Sequence, residues 1–167
     1  MTDSFTTRPA RTSDVRAIRE IVAPLVANRR LVAKDAVAYY EALQQFRVVE
    51  DGAQVVACGA LHVMWEDVAE VRTMAVAAAY RGRGAGHALL EALLDDARAL
   101  GVARVFCLTF ETTFFAQHGF RPIEGQAVPP QVYAELLRSY DEGVAEFLDL
   151  ERVKPNTLGN TRMLLTL

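Results

Sequence analysis

The sequence predicts a single α/β domain built on a mixed, mostly antiparallel sheet with helices on both faces. The chain has 167 residues, 51% of them apolar, which suits one domain with a sizeable core. Two strand-like segments flank Asp51-Gly52, a strong short-range signal of a hairpin. A strand–helix–strand pattern comes next, and further β segments close the chain, so a mixed sheet is expected. We therefore predict one domain over residues 1–167.

The first half of the chain begins with a short strand and a helix. Residues 8–11 predict the strand, and Thr12-Ser13-Asp14 can cap the helix after it. Apolar residues at helical spacing predict that helix over 15–26, where Pro24 would kink or shorten it. The other elements predicted in this half are a helix over 34–45, hairpin strands over 46–50 and 54–62, and a strand over 70–76.

The second half begins with a strongly apolar helix over 87–100, which Gly101 ends. Short apolar segments and proline or glycine boundaries define the remaining elements. These are a strand over 104–109, a brief helix over 112–117, a helix after Pro129-Pro130, a strand over 146–150, a polar turn over 154–162 and a closing strand over 163–167.

Composition excludes several classes of protein. The net charge of −3 argues against nucleic acid as the main partner, because phosphate backbones require a broad basic surface. The sequence contains no run of about 18 apolar residues, so it predicts no membrane span. The first residues also lack the apolar core of a signal peptide. Cys58 and Cys107 lie in apolar, strand-like segments, and the three histidines show no metal-ligand spacing. We expect a cytoplasmic globular protein without a structural metal.

A basic, glycine-rich run lies between the predicted strand 70–76 and the helix that starts at His87. It reads Arg81-Gly82-Arg83-Gly84-Ala85-Gly86. Glycines allow positive φ and carry no Cβ, so backbone N–H groups and a helix N-terminus can converge on phosphate oxygens. Arg81 and Arg83 add positive charge at the same place. The run predicts a site for a pyrophosphate-bearing cofactor.

Three kinds of phosphate-binding loop compete for this run. A Walker loop needs Gly-Lys-Ser/Thr, which does not occur, and a dinucleotide fingerprint needs a third glycine where His87 stands. The remaining pattern, Arg/Gln-x-x-Gly-x-Gly/Ala, is matched by Arg81, Gly84 and Gly86. This pattern resembles the acetyl-CoA signature of the GCN5-related N-acetyltransferase (GNAT) family.

The resemblance extends over nearly the whole chain. Residues 8–15 are similar to the family's first strand and helix start, 70–76 to its fourth strand, and 114–120 to a late aromatic–x–x–x–Gly-Phe element. Residues 108–116, 140–150 and 153–165 resemble the short members that acetylate glutamate and lack an amino-acid-kinase domain. The resemblance implies acetyl transfer from acetyl-CoA to the α-amine of L-glutamate, with L-glutamine left open, as the entry step of arginine biosynthesis. Because C-terminal strands of the family often pair across subunits, a homodimer is also open.

The resemblance also implies roles for individual residues. Residues Arg81, Gly82, Arg83, Gly84, Ala85, Gly86 and His87 would bind the pyrophosphate, and a backbone N–H near Met74, Ala75 or Val76 would stabilise the thioester oxygen. Glu70 is the candidate base, the alternative being a solvated carboxylate at a strand end. Without a bulge, Glu70, Arg72 and Met74 would share one face of their strand. Phe115 stands where the family often has a tyrosine that acts as the general acid. Thr109 either donates a proton to the departing thiolate or satisfies hydrogen-bonding groups at the end of its strand.

Glutamate carries two carboxylates, so its site needs separated positive groups. Arg72 interrupts an otherwise apolar strand, where a guanidinium requires an anion: a substrate carboxylate, or an internal partner such as Glu70 or Glu111. We assign Arg72 and Thr73, with Lys154, Asn160 and Arg162 of the polar turn, to the acceptor site. The alternative for the polar turn is a solvated surface loop without a role in binding. Rival functions are acetylation of another amine or a protein N-terminus, and a non-catalytic acyl-CoA-binding regulator. Polyamine or aminoglycoside sites would be acid-lined, unlike this set of cations.

Overall fold

Seven strands form a mixed sheet in the computed structural model, which describes residues 4–167 and, for Asn156, the backbone only. The strand order is β1-β2-β3-β4-β5-β7-β6. β4 and β5 run parallel, whereas β1–β2, β2–β3, β5–β7 and β6–β7 are antiparallel, which confirms the predicted sheet type. The strands are β1 Thr6–Pro9, β2 Phe46–Asp51, β3 Gln54–Trp65, β4 Val68–Val76, β5 Arg104–Thr109, β6 Arg121–Pro122 and β7 Thr161–Thr166.

Seven α-helices and four short 3₁₀ turns connect these strands in the described part of the chain. The helices are α1 Val15–Ala27, α2 Ala36–Glu41, α3 Ala85–Ala99, α4 Thr112–Gln117, α5 Pro130–Leu136, α6 Glu142–Phe147 and α7 Lys154–Thr157. The 3₁₀ turns are Thr12–Asp14, Leu43–Gln45, Ala78–Tyr80 and Glu151–Val153.

One compact unit comprises the described part of Met1–Leu61 together with Val71–Asp96. Apolar residues of α1 pack here against Cys58 and Ala60 of β3 and Ala75 of β4. On the other side of β3, a Cβ at Gly59 would lie 3.0–3.2 Å from side-chain atoms of β4 and α3, so α3 packs closely there. Helices therefore cover both faces of the sheet within this unit, as predicted.

A second compact unit comprises His62–Glu70 and Ala97–Leu167. Its apolar core joins strands β3, β4 and β5 to helices α5 and α6, and includes Met64, Val68, Phe106, Leu136, Val144, Phe147 and Leu148. Phe106 and Phe147 meet edge to face with ring centroids 5.1 Å apart. Most of this unit's helical turns are short, so packing rather than helix length stabilises them.

The predicted strand over 146–150 is wrong, because this segment belongs to α6 and the turn after it. Asp141 caps the helix: its carboxylate accepts a hydrogen bond from the Val144 N–H at 3.0 Å. Val144, Phe147 and Leu148 are spaced by three and four positions and are all buried, which is the apolar face of a helix. The short apolar run could not be assigned by periodicity alone.

Several other boundaries differ from the prediction. The polar turn over 154–162 contains α7, and β7 begins at Thr161, so Arg162 lies in a strand. The predicted helix 34–45 is only α2 followed by a 3₁₀ turn. α3 starts at Ala85 rather than at His87, which brings Gly86 and His87 into the helix. β6 was not predicted because a two-residue strand has no sequence pattern.

Candidate active site

The glycine loop leads directly into the N-terminus of α3. Gly82 and Gly84 adopt positive φ angles of 74° and 97°, a region that L side chains rarely adopt. A Cβ at either position would meet nothing within 4 Å, and residues Arg81–Gly84 are exposed. The guanidinium of Arg83 lies over the Tyr80 ring, 4.5 Å from its centroid.

This geometry fits a pyrophosphate group. Ala85 and Gly86 open α3, where backbone N–H groups have no intrahelical acceptor and the helix dipole favours an anion. The helix is 15 residues long, and in its first turn Gly86 is partly exposed and His87 is exposed. Arg81 adds an exposed positive charge at its entry. Residues 81–87 could thus hold the pyrophosphate of acetyl-CoA through backbone N–H groups and nearby cations.

The alternation of side chains between the two faces of β4 is interrupted at Thr73, which has a φ of 55°. A residue with positive φ turns the backbone out of the extended conformation, so the regular alternation of side chains does not continue through this position. Thr73 is the one left-handed residue in this strand.

The prediction that Glu70, Arg72 and Met74 share a face assumed a strand without a bulge, and the left-handed Thr73 breaks that condition. The Met74 side chain lies on the face of α3, because its Cγ is 3.0 Å from a Cβ built at Gly59. The carbonyl of Thr73 accepts a hydrogen bond from the Cys58 thiol at 3.8 Å. Burial raises the pKa of that thiol to about 12, so it remains protonated.

Lys34 is a cation near this strand that the sequence did not single out. Its Nζ donates to the Thr73 Oγ1 at 3.3 Å, from the segment between α1 and α2. The lysine itself is exposed. No pattern connects two residues 39 positions apart, so only the fold could identify it.

Glu70 is buried, with 4% of its surface exposed, which excludes the alternative of a solvated carboxylate. It pairs with Phe106 across the parallel β4–β5 register. Its negative charge, together with burial as the larger cause, raises the pKa of the Cys107 thiol. The carboxylate of Glu70 therefore lies close enough to Cys107 to act on it electrostatically.

Thr109 and Phe115 lie in the same compact unit as Glu70, further toward the C-terminus. Thr109 is 7% exposed, and its Oγ1 accepts the Glu111 N–H at 2.8 Å, so it does satisfy the strand end. Its hydroxyl hydrogen can still be donated elsewhere. Phe115 is buried and meets Phe114 and Phe120 edge to face, which is a packing role.

The polar residues near the C-terminus have partners inside the protein. Lys154 Nζ lies 2.5 Å from Oδ1 of Asp149, and the Asn160 N–H donates to the Thr157 carbonyl at 3.0 Å. The Arg162 guanidinium donates to the carbonyls of Glu146 at 3.1 Å, Gly125 at 3.2 Å, and Phe147. Burial lowers the pKa of Arg162. This arginine holds the end of α6 in position.

Two sets of site residues emerge, one in each compact unit. The first unit contains Arg72, Thr73, the 74–76 segment, Lys34 and the loop 81–87; the second contains Glu70, Thr109 and the 154–162 segment. Within the described residues, no group of three or more His, Cys, Asp or Glu could hold a metal ion. Across that same range, no helix is long and apolar enough to cross a membrane.

Comparisons with known proteins find acetyltransferases of similar sequence and fold. An amino-acid acetyltransferase of Mycobacterium tuberculosis is 56% identical over 163 residues, covering 96% of this chain and 93% of the relative. One from Pseudomonas aeruginosa is 33% identical over 124 residues, and the chain spans only 29% of its length. The crystal structure of Rv2747 from M. tuberculosis in complex with CoA and NLQ aligns with a TM-score of 0.93 and 55% identity, covering 97% of this chain and 99% of that one.

A more distant structure shares the fold. N-acetylglutamate synthase from Neisseria gonorrhoeae, complexed with coenzyme A and N-acetyl-glutamate, aligns with a TM-score of 0.77 and 20% identity, over 98% of this chain and 35% of that one. Residues 17–121 match the acetyltransferase (GNAT) family. The chain therefore belongs to the GNAT family of acetyltransferases.

Proposed function

We propose that this acetyltransferase transfers the acetyl group of acetyl-CoA to the α-amine of L-glutamate or L-glutamine, the entry step of arginine biosynthesis. The observation that carries the proposal is the 56% identity, over 96% of the chain, to an amino-acid acetyltransferase. The CoA-bound structure of Rv2747, at 55% identity, supports acetyl-CoA as the donor.

Acetyl-CoA supplies an activated thioester, and the protein binds and orients it. Residues 81–87 bind the pyrophosphate through backbone N–H groups and the start of α3. A backbone N–H of the 74–76 segment donates to the thioester oxygen as negative charge develops there. Thr109 can donate its hydroxyl hydrogen to the departing thiolate.

Glu70 accepts the proton of the attacking amine. A buried carboxylate is a stronger base than a solvated one, because burial disfavours the charged form. The amine must be neutral to attack, so a base on the acceptor side is required.

Cations on β4, in the segment between α1 and α2, and in the 154–162 segment recognise the amino-acid acceptor. Arg72 can pair with one carboxylate in a bidentate fashion, and Lys34 extends the positive charge next to Thr73. Lys154 and Asn160 are further candidates. Arg162 contributes indirectly, because its guanidinium donates hydrogen bonds to the carbonyls of Glu146 and Phe147 at the end of α6.

The test is release of free CoA thiol from acetyl-CoA with a panel of amino acids, polyamines and peptides. We expect turnover with glutamate or glutamine; turnover with another amine and neither of these contradicts the proposal. Glu70→Gln should lower kcat by about 10²–10⁴-fold, the usual contribution of a general base. Glu124→Gln, an exposed glutamate in the same unit, is the matched control and should leave kcat unchanged. An unaltered rate and pH profile in Glu70→Gln would exclude this base.

The acceptor cations are tested through the Michaelis constants. Lys34→Ala should raise the KM for the amino acid without changing the KM for acetyl-CoA. An unaltered amino-acid KM in Arg72→Ala removes that arginine from the site.

Two further expectations belong to this proposal: a homodimer and a cytoplasmic location. Sedimentation equilibrium tests the first and cell fractionation the second.

A further inference from the structure

Proton release from Glu70 poses a problem that the proposed reaction must solve. The carboxylate is only 4% exposed, yet it must lose the amine proton before each new turnover. A titratable group between Glu70 and the solvent would provide a route. His62 is a histidine that the proposed chemistry does not yet use.

His62 and Glu70 project from neighbouring strands on the same face of the sheet. Met64 of β3 and Val68 of β4 belong to one buried core. His62 lies two residues before Met64, and Glu70 two residues after Val68, so side-chain alternation directs both toward the face on which this core packs. β3 and β4 are adjacent in the sheet. The imidazole and the carboxylate thus lie on the same face of two adjacent strands.

Asp141 gives His62 a fixed anionic partner. The His62 Nε2 lies 3.8 Å from Oδ2 of Asp141. Oδ1 of Asp141 accepts the Val144 N–H at 3.0 Å, and its own N–H donates to the Ser139 Oγ at 3.1 Å. The helix cap therefore holds this carboxylate in one orientation toward the imidazole.

The pair also reaches the surface. The side chains of His62 and Asp141 are 24% and 26% exposed. The charged residues of β4 are Glu70 and Arg72, and those of α6 with its cap are Asp141, Glu142 and Glu146; Glu142 is paired with Arg152 at 2.5 Å.

We propose that His62, oriented by Asp141, is a positioning residue that relays the amine proton from Glu70 to solvent. This inference rests on the proposed function, because it takes Glu70 as the base. The carboxyl O–H of Glu70 gives its proton to an imidazole nitrogen, and the imidazolium gives it to water. No bond between heavy atoms forms or breaks, and Glu70 returns to the carboxylate that the next amine requires.

The experiment compares the full-length protein with His62→Gln, using free thiol release at saturating acetyl-CoA and amino acid. We expect kcat to fall roughly tenfold, less than for loss of the base itself, with both KM values unchanged. Added imidazole should restore the rate in proportion to its concentration, and the variant's rate should depend on buffer concentration where the wild-type rate does not. A purely structural role for His62 would produce neither response.

Two further variants complete the design. Asp141→Asn keeps a good helix cap but removes the charge, so the histidine limb of the kcat–pH profile should move to lower pH. His118→Gln, which replaces a histidine whose ring centroid lies 5.3 Å from that of Phe114, is the matched control and should behave as wild type.

The outcomes separate the two proposals. If wild-type protein acetylates neither glutamate nor glutamine, the proposed function fails. The kcat values of wild type and His62→Gln are then compared with the amine that the protein does acetylate. If His62→Gln keeps the wild-type kcat, or loses activity that imidazole does not restore, the relay is overturned while the proposed function stands.

Discussion

The glycine loop and the segment from Asp149 to Arg162 carry similar polar residues, but the protein uses them in different ways. In the loop, Arg81 and Arg83 are exposed, and Arg83 contacts the nearby Ala79 carbonyl and the Tyr80 ring. In the C-terminal segment, Lys154 pairs with Asp149, and Arg162 donates to three carbonyls. An exposed cation is accessible to a ligand, whereas a cation that donates to partly buried carbonyls stabilises the fold. Four variants test this contrast, in order of decreasing expected effect.

Arg162→Met should destabilise the protein most. The methionine keeps much of the side-chain packing but removes the donors to the partly buried carbonyls of Glu146 and Phe147 and to the exposed carbonyl of Gly125. A buried acceptor left without a partner costs about 1–3 kcal/mol. We expect the free energy of unfolding, measured by urea denaturation, to fall by about 3 kcal/mol. Arg121→Met, at a neighbouring exposed position, should change it by under about 0.5 kcal/mol. Equal losses in the two variants would show that Arg162 is not structural.

Arg8 sharpens the comparison because its partners are carboxylates instead of neutral carbonyls. It donates to Asp14 at 2.7 and 2.9 Å and to Glu50 at 2.6 Å. These hydrogen bonds hold the pKa of Asp14 below its ordinary value of 3.8. A lowered carboxylate pKa stabilises the folded protein above the unfolded value, and this contribution is lost as pH falls through the folded value.

Asp14→Asn should therefore cost about 2 kcal/mol at neutral pH, where the hydrogen bonds to a charged group are lost. The loss should shrink as pH falls below about 4, where Asp14 of the unfolded chain takes up a proton, and it should vanish below the lowered pKa of folded Asp14. Urea denaturation at several pH values measures it. Asp51→Asn, in the hairpin turn, should show no such pH dependence, and a constant difference for Asp14→Asn would contradict the assignment.

Gly84→Ala tests the exposed glycine loop as a phosphate site. Left-handed φ in an alanine costs about 1–2 kcal/mol, and the new Cβ also obstructs the approach of a phosphate. We expect the KM for acetyl-CoA to rise about tenfold, which corresponds to about 1.4 kcal/mol. Gly52→Ala, another open position with positive φ, should cost similar stability but leave that KM unchanged. The same KM for both variants would argue against a phosphate site at this loop.

Lys154→Ala should have the smallest effect on stability. The ion pair with Asp149 is exposed on both sides, and such pairs contribute at most about 1 kcal/mol. A rise in the amino-acid KM would nevertheless identify Lys154 as a substrate contact. An unchanged KM would leave the lysine as a surface ion pair.

Backbone-based features could be predicted from the sequence, whereas partnerships between distant side chains could not. The glycine loop, the hairpin turn and the apolar face of α3 depend on local rules of φ and periodicity. The strand predicted over 146–150 failed because a short apolar run fits a strand as well as a buried helix. The hydrogen bonds of Arg162 and the contact of Lys34 with Thr73 depend on which segments the fold brings together.

The left-handed Thr73 makes the length of β4 more important than its composition. Deleting one residue between Glu70 and Ala75 would turn either the Glu70 carboxylate or the buried Ala75 side chain to the opposite face of the sheet. Most substitutions in this stretch would change one contact, but an insertion or deletion would exchange the two surfaces of the strand. We expect the strand to accept new side chains far more readily than a new residue count.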